Sequence, residues 1–220
     1  MTDTNLERAA RLDTATISDA VDRHGIVGQC YGIKPCADEF KMCGRAWTLM
    51  YGPAASPPGT VGDYIDDIPV DCVIVLANGG RDDVTVWGDI LTEVAHLRGV
   101  QGTLIDGVNR DVALCRSLGY PIYSRSSWMR TGKDRVQVVN TQTPVSIGNV
   151  RVCPGDIVRG DSDGVVVVPR EHEEAILNAA ESIQEAEDAI RTAVRTGLTL
   201  REAREKHRYH SLQSRKVISP

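Results

Sequence analysis

The stretch WGDILTEVAHLRGVQGTLIDGVNRDVALC, residues 87–115, sets Gly88-Asp89 and Arg110-Asp111 at two successive points where a helical pattern begins. A helix start exposes backbone N–H groups and the positive end of the helix dipole, so an anion settles there with little further machinery. With a helix beginning near Asp89, the N–H groups of Ile90 and Leu91 aim at such an anion, and a substrate carboxylate fits the place. Arg110 supplies a planar fork suited to a carboxylate or a developing oxyanion. Asp89 and Asp111 supply hard oxygen donors, and one or two carboxylates completed by water and substrate oxygens are the usual shell of Mg²⁺. A metal so placed polarises a keto group and stabilises an enolate. Each residue also has a plainer reading. Aspartate at a helix start commonly serves as a cap, Arg110-Asp111 could be a surface ion pair of little energetic weight, and Asp106 before Gly107 reads as an ordinary turn residue.

These residues act together only if the fold brings both turns to one edge. CVIVLANGG (72–80) is a continuous apolar run closed by a turn, the composition of a strand buried on both faces. GDILTEVAHLRG (88–99) carries Ile90, Leu91, Val94, Ala95 and Leu97 at helical spacing. GTLIDG (102–107) reads as a strand, NRDVALCRSLG (109–119) as a helix and PIYSR (121–125) as a strand. This βαβαβ succession predicts a parallel sheet with right-handed crossovers. Turns beyond the carboxyl ends of parallel strands emerge on one edge, where ligands bind, so Asp89, Arg110 and Asp111 can converge.

Upstream, TATISDAVDRHG (14–25) predicts a short amphipathic helix with Ile17, Ala20 and Val21 inward and Gly25 as its cap. GRAWTLMYG (44–52) reads as a strand, PAASPPGTVG (53–62) as loop and DYIDDI (63–68) as a short helical segment. Downstream, residues 135–169 show short alternating strands between Thr-Pro, Gly-Asn, Pro-Gly-Asp and Ser-Asp-Gly turns. From Arg170 to about Arg208 the pattern is helical, with Ile176, Ala179, Ala180, Ile183, Ala186 and Ile190 in one stripe and a break at Gly197. No linker separates a core of residues 1–169 from a helical extension and basic tail, 170–220, so both are read as one domain. The tail REKHRYHSLQSRKVISP reads as extended and placed on a partner subunit.

At 220 residues, 41% hydrophobic and 25% charged, the chain has the size and composition of one globular domain. A net charge of −5 and a pI of about 5.6 argue against a protein built to hold nucleic acid. The six cysteines (Cys30, Cys36, Cys43, Cys72, Cys115 and Cys153) form no CxxC pair, so a zinc knuckle is not supported. The polar start MTDTNLERAARLDTAT lacks the apolar stretch of a signal peptide, and no run approaches the roughly 18 apolar residues of a membrane span. A cytoplasmic protein with free, mostly buried thiols is the expectation. ANGGRDD (77–83) lacks the spacing of a nucleotide or S-adenosylmethionine cradle. The five histidines are scattered, and neither H-E-x-x-H nor G-x-S-x-G occurs. Nothing singles out a nucleophilic cysteine, and Cys115 reads as core.

WGDIL (87–91) and GTLIDGVNRD (102–111) also match the D-x20-R-D arrangement of a known family. It holds the regulator of ribonuclease activity A and the class II 4-hydroxy-4-methyl-2-oxoglutarate / 4-carboxy-4-hydroxy-2-oxoadipate aldolases. Residues 144–169, PVSIGNVRVCPGDIVRGDSDGVVVVP, resemble its second long signature, and LDTATISDAVDRHGI (12–26) is similar to its N-terminal helix. The resemblance spans residues 12–191. It implies an α/β fold, a swivelling β/β/α domain of the RraA-like type with a long C-terminal helix, assembled as trimers or hexamers with sites between subunits. It also implies a divalent metal, Mg²⁺ or Mn²⁺. By match, Asp111 would be the direct metal ligand and Asp89 would reach the metal through water. Arg110 would steady the substrate oxygen as charge develops, and the backbone of Gly88, Ile90 and Leu91 would hold a pyruvate carboxylate. The aldolases also borrow an acidic residue from a neighbour's C-terminal helix; in QEAEDAIR (184–191) Glu187 is the best match and Glu185 the fallback.

The implied reaction is retro-aldol cleavage of a 4-hydroxy-2-oxo acid to pyruvate and a second carbonyl compound. Water tuned by Asp89 and the neighbour's glutamate removes the C4 hydroxyl proton, C3–C4 breaks, and the enolate is held until protonated. The same enolate logic allows oxaloacetate decarboxylation. Family members that act only as ribonuclease regulators are shorter and tend to lose the aspartate after the arginine, whereas this chain keeps Asp111 and the long helix. It departs from the aldolases at Leu114, where they carry Glu or Asp. That departure keeps open a metal-dependent decarboxylase or hydratase on another keto acid, beside a regulator-like binding protein. A methyltransferase is not supported, since no glycine-rich loop follows a first strand. The expected partners are a keto-acid substrate and further copies of the chain, with neither nucleic acid nor membrane.

Overall fold

Residues 72–78 and 102–109 are buried without a break, as strands covered on both faces must be. They form the centre of the computed structural model, which describes residues 3–207. In chain order the elements are α1 (Thr4–Arg11), α2 (Thr14–Arg23), β1 (Lys34–Pro35), β2 (Met42–Pro53), β3 (Cys72–Thr85), α3 (Asp89–Leu97), β4 (Gly102–Asn109), α4 (Val112–Leu118) and β5 (Ile122–Ser124). There follow β6 (Ser126–Ser127), β7 (Val136–Thr141), β8 (Val145–Ile147), β9 (Val150–Val152), β10 (Ile157–Asp161), β11 (Gly164–Val168), α5 (Glu173–Arg195) and α6 (Leu200–Lys206). Single 3-10 turns cover Asp63–Asp67 and Arg170–His172.

The main sheet runs β1-β5-β4-β3-β2-β10-β11, with β6 beside β4 and β7 beside β2; β8 and β9 form a separate hairpin. β2, β3, β4 and β5 are parallel, with Thr48 opposite Val75, Val75 opposite Leu104 and Leu104 opposite Tyr123. The expected βαβαβ unit is therefore present, joined by α3 and α4. β10 and β11 extend the sheet antiparallel, and their side chains alternate between two cores. Val158, Val165 and Val167 join the large core of Trp47, Leu76, Trp87, Leu104 and Tyr123. Ile157, Val166 and Val168 join a second core against Ile17, Val21, Ile176 and Ile183 of α2 and α5. The α/β class and the long C-terminal helix are as expected. Among the described residues no helix is long and apolar enough to cross a membrane.

Four local readings change. The ANGG turn does not end β3: Gly79 and Gly80 take φ of 62° and 71°, and pairing with β4 resumes at Arg81–Gly107 and Thr85–Val108. The stretch is a bulge that bends the strand rather than a terminal turn. Helix α1 was not apparent because only Ala9 of its eight residues is buried. It is capped by Asp3, whose Oδ1 accepts from Leu6 N–H at 3.1 Å, and Arg8 ties it to Glu181 of α5 at 2.7 Å. Asp106 is no turn residue: it lies buried in β4 and pairs with Arg125 Nε at 2.6 Å. Finally, the helical pattern read to about Arg208, with its break at Gly197, holds through Lys206, because Thr199 and Glu202 form a capping box that starts α6, so residues 204–206 of the tail read as extended are helical. Residues 208–220 of that tail, with His210, lie outside the described residues.

Candidate active site

β4 ends at Asn109, and Arg110-Asp111 turns the chain into α4. Asp111 sits at φ 59°, ψ 39°, in the left-handed region that aspartate tolerates better than most residues. Its carboxylate faces the start of α3: Oδ2 accepts the Asp89 N–H at 3.0 Å and lies 3.2 Å from Arg110 Nε. Arg110, the Asp111 carboxylate and the Asp89 backbone N–H therefore meet, while the Asp89 carboxylate turns to Ile90; the charged side chains of Arg110 and Asp111 stay about one third exposed, at 38% and 37%.

Gly88 makes this approach possible. It caps α3 without a side chain, and a Cβ there would stand 2.8 Å from Asp111 Oδ2 and 3.0 Å from Arg110 Nε. Carboxylates take over the capping: Asp111 holds the Asp89 N–H, and Asp89 Oδ1 accepts from its neighbour Ile90 N–H at 2.8 Å. The place proposed for a substrate carboxylate at Ile90 is thus filled by Asp89 itself, an exchangeable occupant because Asp89 is exposed. Leu91 follows on the same turn and lines the adjoining cavity.

The frame behind these groups is buried and polar. Thr85 Oγ1 lies 2.8 Å from the Trp87 carbonyl and 3.0 Å from that of Val108, bridging the ends of β3 and β4. The Trp87 indole N–H donates to Thr92 Oγ1 at 2.9 Å, and that hydroxyl donates to the Gly88 carbonyl at 2.8 Å. The indole stacks on Tyr120 at 6.2 Å. Arg110 N–H donates to the Trp87 carbonyl at 3.0 Å, which fixes the second turn against the first. Sequence reasoning overlooked this frame; the one available signal was a tryptophan next to Gly88, since its hydroxyl partners are neighbours only in space.

The site opens into a cavity of about 490 Å³. Trp87, Gly88, Asp89, Ile90, Leu91 and Arg110 line one side, and Asp63, Asp66, Thr131 and Lys133 complete the wall. The short helical segment and residues 131–133 were not expected to contribute. A second cavity of about 480 Å³, beside Thr14, Ser18, Tyr31 and Lys34, contains none of the residues expected to act.

The donors available to a metal are carboxylate oxygens. Asp111 Oδ2 is engaged, while nothing among the described residues donates to its Oδ1. No three His, Cys, Asp or Glu side chains of the described residues cluster tightly enough to hold a metal by themselves. One directly held carboxylate, with Asp89 beside it, fits a hard divalent ion that draws the rest of its shell from water and substrate. Glu187 lies elsewhere: on α5, paired with Arg191 at 2.7 Å, and outside the cavity wall. Glu185 is exposed on the same helix and is also not brought to the site. Leu114 sits half-buried in the first turn of α4, its N–H on the Asp111 carbonyl at 3.1 Å.

The family model described as RraA-like, Aldolase/RraA, matches residues 14–167, which contain all of this frame. The chain belongs to the RraA-like family. It is 39% identical over 208 residues to Protein DlpA of Legionella pneumophila, covering 93% of this chain and 34% of that protein, so the chain spans about a third of that relative's length. It is 30% identical over 185 residues to the "Putative 4-hydroxy-4-methyl-2-oxoglutarate aldolase" of Halalkalibacterium halodurans, covering 83% and 85% of the two chains. Among solved structures, an uncharacterized protein from Pseudomonas syringae pv. tomato superposes with a TM-score of 0.86 at 37% identity, over 93% of this chain and 98% of that one. The RraA-like fold follows from these matches, and the family includes proteins named as aldolases.

Proposed function

We propose that this chain is a divalent-metal-dependent lyase of the cytoplasm that cleaves a 4-hydroxy-2-oxo acid to pyruvate and a second carbonyl compound. The observation that carries the reading is the meeting of the Asp111 carboxylate, the Arg110 guanidinium and the start of α3 within 3.2 Å. Asp111 would hold Mg²⁺ or Mn²⁺ directly and Asp89 would reach it through water; when bound, the ion supplies Lewis-acid stabilisation of enolate charge.

The chain's own groups do the rest. The backbone of Gly88, Ile90 and Leu91 binds the substrate's pyruvyl carboxylate, helped by the dipole of α3. That binding displaces the Asp89 side chain from Ile90 N–H and frees it to accept a proton. The C4 hydroxyl proton passes to Asp89, with Glu187 of a neighbouring copy steadying the transfer. The C3–C4 pair moves into the enolate as the new carbonyl forms, and Arg110 hydrogen-bonds the oxygen that gains charge. Return of the proton to C3 gives pyruvate. Loss of CO₂ from oxaloacetate passes through the same enolate. Lys133 lines the cavity wall and would meet a second carboxylate at the substrate's far end.

Assembly as a trimer or hexamer fits the same surface. Ile90 (73% exposed) and Leu97 (78%) on α3, and Trp128 (44%) and Met129 (70%) just after β6, leave apolar area uncovered. Leu114 favours a second reading, a metal-dependent decarboxylase or hydratase on another keto acid, because an apolar side chain replaces an acidic one a turn from Asp111. The experiment is pyruvate release, read through lactate dehydrogenase, from 4-hydroxy-4-methyl-2-oxoglutarate and from oxaloacetate, with Mg²⁺ and with EDTA. Metal-dependent release from the hydroxy acid supports the aldolase. Release from oxaloacetate alone supports the second reading. No release from either turns the assignment toward a regulator-like binding protein.

A further inference from the structure

Gly88 meets one demand and creates another. Without a Cβ it lets Asp111 Oδ2 and Arg110 Nε approach, but glycine also leaves the peptide that joins it to Asp89 free to turn. That peptide carries two groups on opposite sides of one plane. Its N–H holds Asp111 Oδ2 at 3.0 Å, and its carbonyl, that of Gly88, faces Thr92. Turning the peptide over would carry the N–H away from the carboxylate and bring an oxygen toward it. The geometry at Asp111 therefore depends on whatever fixes the Gly88 carbonyl.

A buried relay fixes it. The Trp87 indole N–H donates to Thr92 Oγ1 at 2.9 Å, and that hydroxyl donates to the Gly88 carbonyl at 2.8 Å. The Thr92 N–H donates to the same carbonyl at 3.0 Å. A threonine that bonds back to the fourth carbonyl before it is common in helices, and its hydroxyl is ordinarily free to swing away. Here it is not. An indole N–H can only donate, so the hydroxyl must accept from Trp87, and its single proton is left for Gly88. Trp87 and Thr92 are each 1% exposed, so a hydroxyl that turned away would strand a buried donor. The indole is held in turn by its stack on Tyr120, with 6° between the rings, and the Tyr120 hydroxyl lies 2.9 Å from Thr103 Oγ1. Two hydrogen bonds to one carbonyl also polarise the peptide, which strengthens the N–H at its other end as a donor.

We propose that Thr92, oriented by Trp87, is a positioning residue that locks the Gly88–Asp89 peptide with its N–H on the Asp111 carboxylate. Thr92 reaches neither substrate nor metal and acts through this one peptide. Its effect on turnover rests on the lyase reading, whereas the locked peptide stands without it.

Thr92→Val removes the hydroxyl at nearly constant shape, and Thr92→Ser keeps it. Solvent exchange of backbone amides in the metal-free full chain, followed by NMR, reads the lock without metal or turnover. The Asp89 N–H should exchange about tenfold faster in Thr92→Val and near the wild-type rate in Thr92→Ser. The Arg110 N–H, which donates to the Trp87 carbonyl at 3.0 Å, is the control. Its rate should change little, whereas general loosening of the fold would raise both alike. An Asp89 N–H as protected in Thr92→Val as in wild type, or equal acceleration of Asp89 and Arg110, would overturn the proposal. Pyruvate release is measured beside it: Thr92→Val should lower kcat about 10–100-fold, as for groups that orient a metal-site residue from behind, and Thr92→Ser should recover most of the rate. A chain that shows the exchange difference yet releases no pyruvate, wild type included, refutes the lyase and leaves the lock in place. A chain that turns over equally well with threonine or valine at this position refutes the role of Thr92 and leaves the lyase.

Discussion

Replacing Gly88 by alanine tests the proposed site with one methyl group. Gly88 has φ −148° and ψ −162°, extended backbone that alanine adopts freely, so no backbone strain enters. The new Cβ would stand 2.8 Å from Asp111 Oδ2 and 3.0 Å from Arg110 Nε, whereas ordinary contact begins at 3.4 Å. The carboxylate oxygen must retreat by roughly 0.6 Å, which takes its 3.0 Å bond to Asp89 N–H beyond hydrogen-bonding range. Both obstructing atoms belong to flexible, partly exposed side chains, so the fold yields cheaply. The stability cost should be about 1 kcal/mol, from the poorer cap and one solvent-screened interaction, or about 2–4 °C in Tm for a chain of this size. Catalysis is less forgiving, because a misplacement approaching 1 Å costs on the order of 10²-fold, about 2.7 kcal/mol of barrier. The assay is the rate of pyruvate release beside the melting temperature. Gly79→Ala is the control: it forces alanine to φ +62° with nothing within 4 Å, so it should cost about 1–2 kcal/mol of stability and leave the rate intact. A Gly88→Ala protein that turns over within about twofold of wild type would refute the geometry argued for Asp111 and Arg110.

Asp111→Asn should abolish metal-dependent turnover and weaken Mn²⁺ binding, read by electron paramagnetic resonance, with the melting curve little changed; retained turnover would remove Asp111 from the site. Arg110→Ala should lower the rate by roughly 10²-fold or more, as for one lost oxyanion donor, and an unchanged rate would end its proposed role. If Glu187 serves a neighbour's site, Glu187→Gln and Asp111→Asn should each be inactive alone and regain activity when unfolded and reassembled together; persistent inactivity of the mixture would count against a shared site. Asp161 is partly desolvated, yet the Thr14 hydroxyl and N–H, at 2.6 and 2.8 Å, hold its carboxyl below the ordinary value of 3.8. Its contribution is therefore present above pH of about 3.8 and lost as pH falls through the lower folded value. Asp161→Asn should cost about 1–3 kcal/mol at pH 7 and flatten the fall in Tm on acidification, whereas parallel Tm curves would deny Asp161 that share.

What could be read ahead of the structure, and what could not, divides on sequence distance. The parallel unit was legible because its period changes locally, from the apolar run at 72–78 to the helical spacing that begins at Asp89. The site turns were legible because helix starts confine where backbone donors lie. Asp111's left-handed backbone was not, since aspartate suits either a cap or that conformation and only the packing of α4 on β4 selects one. Asp106-Gly107 gave a sound local turn signal, overridden by the ion pair with Arg125 nineteen residues on. The apolar stripe on α3 is the instructive case. Its spacing predicted the helix correctly, and Ala95 is buried as that spacing requires, yet Ile90 and Leu97 remain 73% and 78% exposed. The stripe is wider than one chain's core can use. Large apolar side chains left in water beside a polar site are what a second copy would cover, and Ile90 is the residue whose N–H Asp89 now holds. An interface there would exclude water from the carboxylates as it formed, so assembly and catalysis would draw on the same helix.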